Sequence, residues 1–201
     1  MSNLINLVSQ HLNSDVIMQL TRQVGATNPN QVGQAAKAVS EILVQALNNS
    51  TQDQQRGSGL LGALERDHDG GILGDLMGVF TGQKSVNNPK TLNGAGIVNH
   101  LLGQNQVKAA QIVQQASGLD FFKSGVLMQL IAPVVMGVLG QSQKSSGFDL
   151  GGLAKVLMGG AQQSTQQSAG GGILQSLLDQ DGDGSMMDDL LGMGFKYLTK
   201  R

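Results

Sequence analysis

The stretch Asn28-Pro29-Asn30-Gln31-Val32-Gly33-Gln34-Ala35-Ala36-Lys37-Ala38-Val39-Ser40-Glu41-Ile42-Leu43-Val44-Gln45-Ala46-Leu47 decides the fold class. Val32, Ala35, Ala36, Val39, Ile42, Leu43, Ala46 and Leu47 recur at the spacing that lines one face of an α-helix. Asn28 offers a side-chain oxygen to the unpaired amides of the first turn, and Pro29 stands at the first helical position, where its missing N–H costs nothing. Upstream lies a shorter apolar-periodic segment from Val16 and a turn at Gly25. The same order of short helix, glycine turn and longer helix is read between Ala109 and Gly140, with Gly118 matching Gly25. In that second copy Val126, Leu130, Pro133, Val134 and Leu139 belong to a run that is apolar on almost every face, which predicts a central buried helix kinked at Pro133. No window alternates apolar and polar residues with β-branched enrichment. The expected fold is therefore all-α: an internally duplicated multi-helix bundle with short helices and glycine-rich loops.

Composition narrows the function classes. The chain has 201 residues, 29 of them glycine, 13% charged and 3% aromatic, so its core must be built from Leu, Val, Ile, Met and Ala. A net charge of −1 gives no electrostatic footprint for nucleic acid, and none is expected as a partner. The absence of cysteine excludes disulfides, thiolate catalysis and thiolate metal sites. Residues 1–12 lack the pattern of a secretory signal, which makes cytoplasmic residence the expectation. The most apolar stretch, Gly125 to Gly140, is short of the ~20 residues a membrane-spanning helix needs, so no transmembrane segment is expected.

Self-similarity extends to a second feature. Leu64-Glu65-Arg66-Asp67-His68-Asp69-Gly70-Gly71-Ile72-Leu73-Gly74-Asp75-Leu76-Met77-Gly78 aligns without gaps on Leu178-Asp179-Gln180-Asp181-Gly182-Asp183-Gly184-Ser185-Met186-Met187-Asp188-Asp189-Leu190-Leu191-Gly192, and acidic residues coincide at four places. Two halves follow: residues 1–88 with an acidic loop at 65–75, and residues 89–201 with an acidic loop at 179–189, joined near Asn87-Asn88-Pro89. The polar stretches 48–55 and 162–172 are expected to be mobile loops.

The first acidic segment, the run Asn93-Gly94-Ala95-Gly96-Ile97-Val98-Asn99-His100-Leu101-Leu102-Gly103, the turn Gln115-Ala116-Ser117-Gly118-Leu119, the segment Leu130-Ile131-Ala132-Pro133-Val134-Val135-Met136-Gly137 and the closing Leu-Asp-Gln-Asp-Gly-Asp-Gly together resemble the bacterial domain-of-unknown-function family nine-three-seven, the YidB-like proteins. The resemblance spans roughly residues 4–194 and implies a bacterial, helical protein; it brings no activity with it.

The motif able to carry chemistry is the second loop. Asp179, Asp181 and Asp183 followed by Gly184 reproduce the opening of an EF-hand-like calcium loop, in which alternate carboxylates converge on a hard cation and glycine allows the sharp turn. Ser185 would add a backbone carbonyl. The usual closing Glu is replaced by Leu190, so the loop would close early on Asp189. In the first copy the matching candidates are Glu65, Asp67, Asp69 and Asp75. The competing reading needs no ion: Asp-Gly favours turns, and Ser or Asp caps a following helix.

His68, at a non-coordinating position of the first loop, is expected to face solvent; His100 is expected on a helix surface, and His11 at the end of the first helix, where it complements the dipole. The Met-rich helices are read as core in preference to a pliable partner groove. No nucleophile elbow, metalloprotease helix or phosphate loop is present. The expectation is a non-enzymatic helical protein with one or two loops binding calcium structurally and with surfaces for a protein partner. The alternative is a self-associating or membrane-surface module without metal.

Overall fold

The computed structural model describes residues 4–157 apart from 86–87, 148–150 and 154–155, and every regular element among them is helical. Helices α1 (Leu4–His11) and α2 (Ser14–Gln23) are separated by Asn13, whose side-chain oxygen accepts the Val16 N–H at 3.0 Å. His11 closes α1 as expected. Helix α3 (Pro29–Gln52) begins with the Asn28 oxygen accepting the Asn30 N–H at 3.0 Å and Pro29 in the first turn.

The expected loop at 48–55 is not there: α3 continues to Gln52 and α4 (Gln54–Asp67) starts after one intervening residue. The polar side chains that suggested a loop turn back on their own helix. The Ser50 hydroxyl donates to the Ala46 carbonyl at 2.9 Å and the Thr51 hydroxyl to that of Asn48 at 2.7 Å, so both can be buried without losing a partner. Asp53 makes the break, its carboxylate accepting the N–H groups of Gln55 and Arg56, both at 2.9 Å.

Beyond α4 come a 3-10 turn (Gly71–Asp75), α5 (Leu76–Phe80), a 3-10 turn (Pro89–Leu92), α6 (Gly94–Leu102), a short 3-10 turn (Gly103–Asn105), α7 (Gln106–Ser117) and α8 (Phe121–Ser146). The pairs α2–α3 and α7–α8 share one local succession. A short helix ends at a glycine with positive φ, Gly25 at +65° or Gly118 at +69°, and a side chain then caps a long helix. Glycine is required at these corners because a Cβ crowds the backbone at left-handed φ.

Helix α8 is the buried centre that its composition predicts. Leu127, Ile131 and Leu139 are fully enclosed, as are the neighbouring turns of Ala132, Val134 and Val135. At 26 residues it exceeds the stretch Gly125 to Gly140, and by length and composition alone it could cross a bilayer; two-thirds of its most apolar window is buried inside the protein. Helix α3 packs against both α7 and α8, so Leu43 and Leu47 share one core with Val113 and Leu127. That core is Leu, Val, Ile, Ala and Met, as composition requires. Enclosing each Leu or Ile contributes roughly 1.5–3 kcal/mol before entropy is counted.

Pro133 sits inside α8 and has no N–H, so the Gln129 carbonyl four residues earlier loses its helical donor. Gly94, the first residue of α6, abuts that carbonyl so closely that a Cβ would overlap its oxygen. A glycine here lets α6 lie directly on α8, which runs unbroken through Pro133, at the carbonyl left without a helical donor. All described residues belong to one compact unit, Met1–Gln162; the acidic loop 179–189 and the second polar stretch beyond Gly160 lie outside the described residues.

A candidate binding cleft beside the first acidic loop

The last turn of α4 leads into the first acidic loop, and the loop docks on α8. Gly140 makes this contact possible: a Cβ there would overlap the His68 carbonyl oxygen and come within 3.5 Å of Asp69 Cα. A second tie runs to the 3-10 turn at Pro89–Leu92. The Asn88 amide donates to Asp67 Oδ1 at 2.8 Å, and the buried Thr91 hydroxyl donates to the Asp67 carbonyl at 2.7 Å.

These ties decide what the loop's carboxylates do. Asp69 Oδ1 accepts the Gly71 N–H at 3.0 Å in a side-chain turn, while its Oδ2 lies 3.7 Å from the exposed Lys144 ammonium. Glu65 Oε1 accepts from the Gln143 amide at 3.4 Å. Among the described residues no three acidic or histidine side chains gather as a ligand set for a metal, and the Asp75 side chain lies outside that description. Asp69 makes the side-chain turn that the cap-and-turn reading describes, whereas Glu65 and Asp67 cap no helix and accept from side chains distant in the chain. Each has found a protein donor on a different neighbour. The second-loop candidates Asp179, Asp181, Asp183, Ser185 and Asp189 lie outside the described residues.

The expectation for His68 is overturned. Its side chain is buried, with 4% of its surface exposed, and Nδ1 has no hydrogen-bond partner. The reason is helical phase. Leu60, Leu64 and His68 are four residues apart, and both leucines are buried on the inner face of α4, so the imidazole continues their row. His100 is exposed, as expected.

His68 helps to line a cleft of about 390 Å³ formed by α4, the Pro89–Leu92 turn, α6 and α8. Burial orders its lining. Leu60, His68 and Met136 are buried and make the floor; Ala63, Gly96, Ile97 and Leu101 are half-buried walls; Lys90, Asn93 and His100 are exposed at the mouth. Asn93 also caps α6, its Oδ1 accepting the Gly96 N–H at 2.9 Å. With that oxygen already accepting one bond, Asn93 keeps both amide hydrogens to donate.

Burial pushes the His68 pKa below the imidazole's ordinary 6.5, and the neighbouring Asp67 charge offsets part of this. The folded state therefore holds neutral His68 where the unfolded chain would already bind a proton, so stability falls as pH drops below about 6.5. Glu41 on α3 acts with the opposite sign. Burial raises its pKa above 4.5, against a smaller lowering by Lys37, so acidification relieves a buried charge. The melting temperature of the natural chain is expected to drop from about pH 7.5 to about pH 5.5 by more than that of His68→Leu. Equal slopes in the two proteins would remove the imidazole as the cause.

No curated protein and no solved structure matches the chain. A family model does: it covers residues 6–142, which take in the first acidic loop, the cleft and most of α8 and stop short of the second loop. The chain belongs to the family described as bacterial protein of unknown function, DUF937.

Proposed function

We propose that this chain is a non-enzymatic helical binding protein whose working surface is the cleft between α4, α6 and α8. The composition of the lining carries this reading: an apolar floor and walls, donor groups at the mouth, and no hydroxyl, thiol or carboxylate side chain among the lining residues. An imidazole acts as a general base on a neighbouring nucleophile and is usually oriented by a carboxylate. The lining gives neither His68 nor His100 such companions. Small-ligand sites commonly enclose about 300–1,000 Å³ and are mostly apolar with a few placed polar groups, which is the character of this cleft.

A second reading concerns the loop 179–189, where Asp179, Asp181, Asp183, Ser185 and Asp189 retain the spacing for structural calcium and form the later copy of an internal duplication. The repeated helix–glycine–helix succession supports the duplication. The outer side of α8 supports contact with a protein partner or a second copy of the chain: Phe122 is 78% exposed, and Val126, one turn on, is 44% exposed.

One experiment tests both readings: thermal unfolding of the full chain with a panel of anionic, cationic and neutral small amphiphiles, and separately with calcium or a chelator. At least one amphiphile class is expected to raise the melting temperature in proportion to its occupancy. Calcium is expected to raise it too, the chelator to reverse the gain, and Asp181→Ala to abolish it. Indifference to every amphiphile ends the cleft reading. Indifference to calcium and chelator ends the ion reading.

A further inference from the structure

We infer that the cleft selects small amphipathic carboxylates, with an apolar body of about six to ten carbons seated on Leu60 and Met136 and the carboxylate held at the mouth by Lys90 and Asn93. This rests on the binding reading above and assigns its ligand class.

Four observations converge on a negative head group. The lining contains no acidic residue, and Lys90 at the mouth supplies a permanent positive charge. Asn93 has two amide hydrogens to donate there, while its oxygen already accepts the Gly96 N–H. A carboxylate accepts from both donors, whereas an ammonium would meet Lys90 as a like charge and find no acceptor on the Asn93 amide nitrogen. The first turn of α6, a nine-residue helix, opens at the same mouth, and the positive end of its dipole favours an anion. Below the mouth the lining is apolar apart from the His68 imidazole in the floor. Ala63, Ile97 and Leu101 flank the body of the ligand.

The neutral state of His68 suits this arrangement. A charged imidazole in the floor would draw the carboxylate downward into apolar surroundings; a neutral one leaves the charge at the solvated mouth, where its desolvation cost is least. The buried apolar residues of the lining and the exposed position of its charge therefore favour the same orientation of the ligand, tail first.

The test is calorimetric titration of the full chain with octanoate, 1-octanol and octylammonium, followed by amide chemical-shift mapping. Octanoate is expected to bind with a Kd of about 0.1–1 mM, and octanol about tenfold more weakly. Shifts are expected to concentrate at Gly59, Gly96 and Leu101, which line the cleft. Lys90→Gln, on the exposed rim, should bring octanoate down to the level of octanol while leaving the melting temperature unchanged. Ala63→Phe should fill the space and abolish binding of both; its circular dichroism and unfolding curve establish that it folds, and Lys90→Gln tests the inference without it. Octanoate bound no more tightly than octanol, an affinity indifferent to Lys90→Gln, or shifts on another face would each overturn the inference. Tighter binding of octanol or octylammonium at the same amides would overturn the charge assignment while leaving the cleft a binding site. Silence from all three probes would count against the binding reading itself.

Discussion

Gly140→Ala is expected to destabilise the protein by about 3 kcal/mol or more, at or beyond the upper end for overpacked cores. Most small-to-large changes are softened because the obstructing atom is the end of a flexible side chain. Here the obstruction is the backbone carbonyl of His68, with Asp69 Cα just behind it. Accommodating one methyl group would mean lifting the whole loop from α8, including the ties from Asn88 and Thr91 to Asp67. Urea denaturation measures the loss, and the melting temperature should fall by roughly 6–12 °C for a chain of this size. Gly125→Ala in the same helix is the matched control, since a Cβ at Gly125 meets nothing within 4 Å. That change should stabilise by about 0.5–1 kcal/mol through helix propensity alone. A Gly140→Ala protein as stable as the natural chain would mean that the loop does not rest on α8.

Leu43→Ala is expected to cost about 2–5 kcal/mol, because it removes three carbons from a fully buried position on the helix that α7 and α8 both pack against. The spread in that range depends on how far the surroundings collapse. Collapse should be small here, since α7 and α8 both pack against α3. Val107→Ala, at a position 58% exposed on α7, should stay within about 0.5 kcal/mol of the natural chain. Equal losses from the two substitutions would show that α3 is not the inner wall of the core.

The helices were legible where apolar spacing and a cap agreed. Asn28, Pro29 and the row from Val32 to Leu47 located α3, and glycines 25 and 118 marked both corners. Spacing failed at residues 48–55 because serine and threonine, read as loop formers, satisfied themselves against their own helix. His68 was misplaced for a related reason. Its neighbours Asp67 and Asp69 drew the reading toward a polar loop, while its four-residue relation to Leu60 and Leu64 already placed it inward. The destination of the carboxylates was not legible. Asn88, Gln143 and Lys144 reach them from distant parts of the chain, and no local pattern announces such pairings. The cleft was hidden in the same way, being assembled from α4, α6, α8 and a turn, each unremarkable by itself.

The order of the elements along the chain has a consequence for biogenesis. During synthesis α3 and α7 leave the ribosome before α8, so the segment most able to partition into lipid emerges when its covering surfaces already exist. A circular permutant beginning at Phe121 would reverse that sequence of events. It would offer translocation machinery and chaperones a bare nascent helix with nothing yet made to shelter it.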